Sequence, residues 1–315
     1  MSETVAKVVH PGLMSVFQDT GRFGMSKLGL TTGGPSDREA YDWLNRLLDN
    51  NKDSAVIELS FGGLQLEVLK HTEICVTGAL NALTINDVDK ALWCTHMVVP
   101  GDVIKLGFAT SGIKNYFGIK GGFRVPKQFG SVSTVLRESL GGFNGSALEK
   151  GDELEGDEFF PKVQQRLLQQ DIPVYNQEVR LRVIPGYQQH TFSRMEQRRF
   201  FSGEYQVSKQ WDRMGYRLEG PAIECQQRSM LSEGIALGAV QIPPDGQPII
   251  LMQDRQTIGG YPKIGSVLSL DVYKLAQCGQ GTKVYFEPIS MDYAHNELHL
   301  AHRRFVKTKF LSETY

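Results

Sequence analysis

The sequence predicts a mainly β protein with a few covering helices, and three observations carry that prediction. Glycine is abundant, at 33 of 315 residues, and short β-rich runs recur between turn signals. Within those runs apolar and polar residues alternate with the period-2 pattern of strands. Two short motifs, one in each half, echo one another, which suits a duplicated barrel.

In chain order, "QDTGRFGMSKLGLTTGGP" at 18–35 is the first echo, and "SDREAYDWLNRLLDN" after it is the first helix. Ser36 is its expected N-cap, with Glu39 as capping-box partner, and Ala40, Trp43, Leu44 and Leu47 form its apolar stripe. The runs "SAVIELSFGGLQLEVL", "TEICVTGALNALTIN" and "MVVPGDVIKLGFA" are strands. In the first, Leu64, Leu66 and Val68 share one face against Gln65 and Glu67, as in a half-buried antiparallel sheet. A second helix is expected at "PKVQQRLLQQ", inside the polar stretch 161–178 that separates two β-rich halves. The division is placed between 1–165 and 166–315. The second echo, "WDRMGYRLEGP" at 211–221, precedes the strand run "AVQIPPDGQPIIL". A last helix is expected at "SMDYAHNELHLAHRRFVKTKF".

Composition narrows the function classes. With 41% apolar and 22% charged residues the chain folds as about two domains. Lys and Arg together number 34 against 35 Asp and Glu, so no basic field points to nucleic acid or an anionic membrane. The start lacks a basic and apolar leader, and no segment is apolar enough to span a bilayer, so the expected location is cytoplasmic. Cys75, Cys94, Cys225 and Cys278 are widely spaced, as for reduced, mostly buried thiols.

Polar clusters mark the candidate chemistry. In "QDTGRFG", Asp19 and Arg22 stand on a turn freed by Gly21 and Gly24; they serve either as an anion-facing pair or as an ion pair that stabilises the turn. "DRMGYRLEGP" repeats the chemistry with Asp212, Arg213, Tyr216 and Arg217. In "QDRQTIGGYPKIG", Gln253, Asp254, Arg255, Gln256, Thr257, Tyr261 and Lys263 mix donors and acceptors beside Gly259 and Gly260. Such a set can orient a small amide or carboxylate and move a proton; a plain turn is the bland alternative. "SVSTVLRESLGGFNG" can cradle an anion through backbone N–H groups, yet no P-loop spacing occurs in the chain, which excludes ATP hydrolysis by a P-loop. His295 and His299 share a helical face without an H-E-x-x-H pattern, so no metal is expected.

Taken together, "VVHPGLMSVFQDTGRFG", "GPSDREA", "AVIELSFGGLQLEV", "YFGIKGGF", "GGFNGSALEKGDEL", "RVIPG", "DRMGYRLEGP" and "GAVQIPPDGQPIILMQDRQTIGGYPKIG" resemble the family of 5-oxoprolinase C subunits. That family is also described as KipA-like or allophanate hydrolase subunit 2, and is related to the carboxyltransferase domain of urea carboxylase. The resemblance implies two cyclophilin-like β-barrel subdomains. It implies ATP-driven opening of 5-oxo-L-proline to L-glutamate, in company with a KipI-like B component and a LamB/YcsF-type A component.

On that basis Asp254, Lys263, Arg213 and Asp19 are the expected catalytic residues. Arg22, Gln253, Thr257, Tyr261, Tyr216, Gly259 and Gly260 are the expected substrate contacts. ATP is the expected cofactor, on this chain or shared with a partner. The resemblance leaves two alternatives: a biotin-dependent carboxyltransferase served by a separate carrier, and a non-enzymatic KipA-like antagonist of a kinase inhibitor. Two departures stand out. Trp211 and Asp212 occupy positions where the family reads Ser-Asn, and Ile258 stands where it reads a second Thr.

Overall fold

The computed structural model describes residues 3–227 and 230–315. The chain forms two compact units that are not consecutive stretches. The first comprises Met1–Phe23, Gly33–Tyr175 and Lys307–Tyr315, and the second Gly24–Thr32 with Asn176–Val306. The last nine residues thus return to the first unit instead of staying with the second half of the chain.

The first unit is built from two antiparallel sheets. One runs in the order Glu153–Gly156, Glu3–Pro11, Leu64–Val68, Val103–Leu106, Leu83–Ile85 and Val88–Lys90. The other runs Met14–Gln18, Val56–Ser60, Ser111–Ile119, Thr72–Leu80 and Thr95–Val98. Alternating residues of both sheets share one apolar core that includes Val8, Ile57, Leu66, Val76 and Phe117. Leu64, Leu66 and Val68 are buried, Gln65 half-buried and Glu67 exposed, as the alternation predicts.

Helix α1, Arg38–Leu47, packs on the strands Thr72–Leu80 and Ser111–Ile119. Its apolar stripe is buried as expected, and Gly118 makes the close approach feasible: a Cβ there would lie 2.5 Å from Leu44 Cδ2. The cap differs from expectation. Asp37, not Ser36, accepts the Ala40 N–H, at 3.1 Å. Ser36 is drawn away by the buried Glu58, which takes its backbone N–H at 2.7 Å and its hydroxyl at 2.9 Å.

The helix expected at "PKVQQRLLQQ" is instead a strand, Val163–Arg166, followed by a single 3₁₀ turn at Gln169–Asp171. Its antiparallel partner is Leu311–Thr314, and Thr95 Oγ1 accepts the Gln165 N–H at 2.9 Å. Distant pairing overrides the local helical pattern here.

The second unit is a closed seven-stranded barrel. Its order is Glu178–Pro185, Lys263–Val267, Ala239–Gln241, Ile249–Leu251, Gly215–Glu219, Tyr205–Trp211 and Lys283–Pro288. The last strand pairs in parallel with the first and closes the ring, leaving no free edge. Inside stand Leu181, Val207, Tyr216, Leu218, Val240, Ile250 and Phe286. Helices α2, Arg194–Ser202, and α3, Ser269–Leu275, pack on strands of this unit.

The C-terminal helix α4 spans Met291–Lys307, with only Ala294 buried. Arg182 ties it down by donating Nη1 to Glu297 Oε2 at 2.7 Å. No helix among the described residues is long and apolar enough to cross a membrane.

Candidate functional site

In the first unit, the chain leaves the strand Met14–Gln18 into the turn that carries Asp19 and Arg22. Gly21, at φ 105°, adopts the backbone this turn needs. Asp19 Oδ1 accepts the Gly21 N–H at 3.0 Å and the Ser133 hydroxyl at 2.7 Å, together with the Ser131 hydroxyl; Oδ2 accepts the Val132 N–H at 2.9 Å. Arg22 donates Nε to the Gln128 carbonyl and Nη2 to the Ser133 carbonyl, each at 3.0 Å.

Both side chains are buried, at 2% and 1% exposure. They bind the loop 128–133 to the strand end. The same partnerships occupy Ser133, which lies in the stretch expected to cradle an anion. Thr134 Oγ1 is buried without a partner among the described residues.

In the second unit, the hairpin Tyr205–Trp211 and Gly215–Glu219 and the strand Ile249–Leu251 bring two sequence motifs together. Gly215 pairs with Leu251, which sets Arg213 against Asp254 just beyond the strand end. The guanidinium holds the carboxylate in a two-pronged fork, Nε to Oδ2 and Nη2 to Oδ1, both at 2.8 Å. Backbone groups add a third bond, Asp254 N–H to the Arg213 carbonyl at 2.7 Å. The paired side chains are 10% and 9% exposed, so the fork is preorganised and largely dry.

The unusual Asp212 of this turn has a local role. It accepts the N–H groups of Met214 at 2.7 Å and Gly215 at 3.1 Å. Trp211 packs on Tyr216, with ring centroids 5.4 Å apart. Tyr216 itself points into the barrel core at 2% exposure, its hydroxyl 3.5 Å from the Ala276 carbonyl. It is a core residue.

The stretch 253–265 crosses from that strand end to the next. Gln253 is buried. Ile258–Gly259 pairs with Glu233–Gly234, the Thr257 carbonyl accepts the Ile235 N–H at 3.2 Å, and the Gly260 carbonyl accepts that of Met230 at 3.3 Å. Arg255 donates Nε to the Ile235 carbonyl and Nη1 to the Met252 carbonyl, each at 3.3 Å. Tyr261 is exposed. Gly259 and Gly260 therefore serve as backbone partners of a segment that no sequence motif marks.

That segment supplies the group that completes the candidate site. Lys263 Nζ forms a short ion pair with Glu233 Oε1, and Gln188 Nε2 donates to the same oxygen at 2.7 Å. Tyr187 donates its hydroxyl to Glu233 Oε2. Gln188 Oε1 in turn accepts the Lys263 backbone N–H at 2.8 Å.

The bond from Lys263, then that from the Tyr187 hydroxyl, holds the Glu233 carboxyl below its ordinary range. The same contact pushes the Tyr187 phenol up. Lys263 is 11% exposed and Glu233 29%. The result is a cation, a carboxylate and a phenol joined in one chain of hydrogen bonds at a partly open surface. Such a chain can polarise a carbonyl and relay a proton.

Arg22, Arg213 and Lys263 are the cations expected to meet a nucleoside triphosphate. Arg22 is spent on backbone carbonyls, Arg213 on Asp254 and Lys263 on Glu233. Bringing phosphate to either arginine displaces an acceptor already in place, so Arg22 and Arg213 do not fit ATP. Burial pushes the Cys278 thiol up to about 12 and raises Cys75 and Cys94 as well, which makes these three poor nucleophiles. Among the described residues no group of three or more His, Cys, Asp or Glu could hold a metal ion.

A family model described as carboxyltransferase domain, subdomain A and B, matches residues 28–288. The chain is 35% identical over 305 residues to the C subunit of 5-oxoprolinase from Haemophilus influenzae, covering 94% of this chain and 96% of that protein. It is 33% identical over 292 residues to the corresponding C subunit from Escherichia coli, covering 91% and 92%. Among solved structures, the K. lactis urea amidolyase superposes with a TM-score of 0.89 at 26% identity. That match covers 97% of this chain and 20% of the larger enzyme.

Proposed function

The chain belongs to the carboxyltransferase-domain family of subdomains A and B, and from that premise we propose that it is one component of an ATP-dependent 5-oxoprolinase. The reaction is hydrolysis of 5-oxo-L-proline to L-glutamate. The observation that carries this reading is the near end-to-end correspondence with 5-oxoprolinase C subunits, 94% of this chain against 96% of one of them. A KipI-like B component and a LamB/YcsF-type A component are the proposed partners, and the cytoplasm the proposed location.

Ring opening requires polarisation of the lactam carbonyl, attack by water, and a proton for the departing nitrogen. Lys263 is the polarising cation, with Glu233 and Tyr187 as the acceptor and donor that move the proton. Asp254, bound on both oxygens by Arg213, positions the strand end instead of acting as a base. Asp19 and Arg22 hold their loop. ATP would supply activation of the lactam oxygen, and because Arg22 and Arg213 are already engaged within the protein, we assign its site to a partner protein.

A second reading is favoured by the family description and by the fold shared with urea amidolyase: carboxyl transfer from carboxybiotin carried on another protein. The two readings separate in one experiment. The purified chain is combined with both partners and supplied with ATP and 5-oxo-L-proline, and glutamate is measured. Release of glutamate that stops when this chain is omitted is expected. A complete, folded assembly that releases none overturns the reading, and ATP-independent decarboxylation of free carboxybiotin by this chain favours the second.

A further inference from the structure

The outer wall of the barrel is covered at one place. On the strand Ala239–Gln241, Val240 points into the core and Gln241 away from it. Gln241 stands opposite Lys263 across the ladder, and Ile264 beside that lysine is again a core residue, so Gln241 and Lys263 share the outer face. Both are nonetheless buried, at 6% and 9% exposure. The two-stranded ribbon Glu233–Gly234 and Ile258–Gly259 lies over them: a Cβ on Gly259 would stand 2.6 Å from Gln241 Nε2, and Glu233 closes on the Lys263 ammonium.

The ribbon is lightly held. The backbone bonds that flank it are long, Ile235 N–H to the Thr257 carbonyl at 3.2 Å and Met230 N–H to the Gly260 carbonyl at 3.3 Å. Beneath it lies a small apolar group, Ile235, Ala239 and Leu251 with Ile249 beside them, separate from the barrel core. Ile258 and Gly234 are exposed. Few buried apolar contacts and exposed backbone bonds mark segments that open locally.

Two side chains act on the ribbon in opposite directions. Glu233 fastens it, because three donors from outside the ribbon, Lys263 Nζ, the Tyr187 hydroxyl and Gln188 Nε2, converge on its carboxylate. Gln241 works against closure: its Nε2 is buried with no hydrogen-bond partner among the described residues, and a buried donor without an acceptor carries its full desolvation penalty. Lifting Gly259 lets water reach that amide, so the penalty belongs to the closed state alone.

We propose that this ribbon is a lid over Lys263 and Gln241, latched by Glu233 and kept near its opening point by the unpartnered amide. Opening parts Glu233 from Lys263 and brings the ammonium and the amide to solvent on one face. Closing restores the bonded chain of Lys263, Glu233 and Tyr187. That the lid admits substrate rests on the reading of Lys263 as the polarising cation of a 5-oxoprolinase; the motion itself does not.

Hydrogen exchange of the purified full chain, followed by mass spectrometry on peptides spanning 230–237 and 256–261, measures the opening, with the barrel strand Lys283–Pro288 as control. We expect the lid peptides to exchange about a hundredfold faster than the control. Gln241→Met removes the donor at similar length and should slow lid exchange about tenfold with the control unchanged. Glu233→Gln weakens the latch and should speed lid exchange about fivefold, again with the control unchanged.

A glutamine that only supports the barrel would, when replaced, speed exchange in lid and control alike. That pattern, lid peptides as slow as the control, or Gln241→Met exchanging like the parent, overturns the proposal. If Gln241→Met does not fold, Glu233→Gln decides: acceleration confined to the lid supports it, and unchanged lid exchange overturns it. No ATP or substrate enters this experiment. A full assembly that releases no glutamate would therefore sink the oxoprolinase reading and leave the lid, whereas uniform exchange would sink the lid and leave that reading.

Discussion

The two echoing motifs contain nearly the same residue types and meet opposite fates. Around Asp19 and Arg22 every observed partner lies within the protein, and both side chains are almost wholly buried. In the barrel, the Arg213–Asp254 fork is also closed, yet it stands near the end of a strand from which the stretch 253–265 runs to the partly open Lys263, Glu233 and Tyr187. Residue type therefore says little about which cluster is free to meet a ligand. Accounting for partners and exposure decides it, and it moves the proposed chemistry from the aspartates to Lys263.

That contrast can be broken experimentally. The largest effect is expected at Asp19→Ala, which strands two serine hydroxyls and two backbone N–H groups in the interior. It should cost about 3 kcal/mol in denaturant unfolding; a loss under about 1 kcal/mol would show that the first cluster is not structural. Next, Lys263→Met should lower turnover of the complete assembly about a hundredfold. Because Glu233 remains partly solvated, the unfolding free energy of this variant should change by less than about 1 kcal/mol.

Asp254→Ala comes third, at about 2 kcal/mol. Joint replacement of Arg213 and Asp254 by apolar residues should recover much of that loss, and a double-mutant cycle measures the coupling. The smallest effect is in pH. Glu233 titrates below its unfolded value when folded, so its contribution is present above the unfolded value near 4.5 and is lost as pH falls through the folded one. Unfolding followed from pH 6 down to about 3 should show this acid loss in the parent and a reduced loss in Glu233→Gln. Identical profiles would remove the ion pair from the account.

Much of the architecture was legible in the sequence. Alternation at Leu64, Leu66 and Val68 and the stripe of the first helix follow from periodicity, because those signals are local, whereas Tyr216, expected to touch substrate, lies in the barrel core. The strand at Val163–Arg166 was not legible, since its partner Leu311–Thr314 comes long after it. The cap at Ser36 was missed because Glu58, from another strand, claims the serine.

The candidate site was half visible. Lys263 announced itself, whereas Glu233, Tyr187 and Gln188 come from separate segments and had no motif to mark them. The one available signal for Glu233 was a charge beside Gly234 in a run otherwise ready to pair.

The return of Lys307–Tyr315 to the first unit also sets an order of assembly. A ribosome releases the two facing sheets early, but the strand Leu311–Thr314 emerges only after the whole barrel has been made. During synthesis the nascent first unit therefore waits with the edge of Val163–Arg166 uncovered, the kind of exposed strand that invites mispairing between neighbouring chains. Stopping the message before codon 307 should yield a first unit with that seam still open.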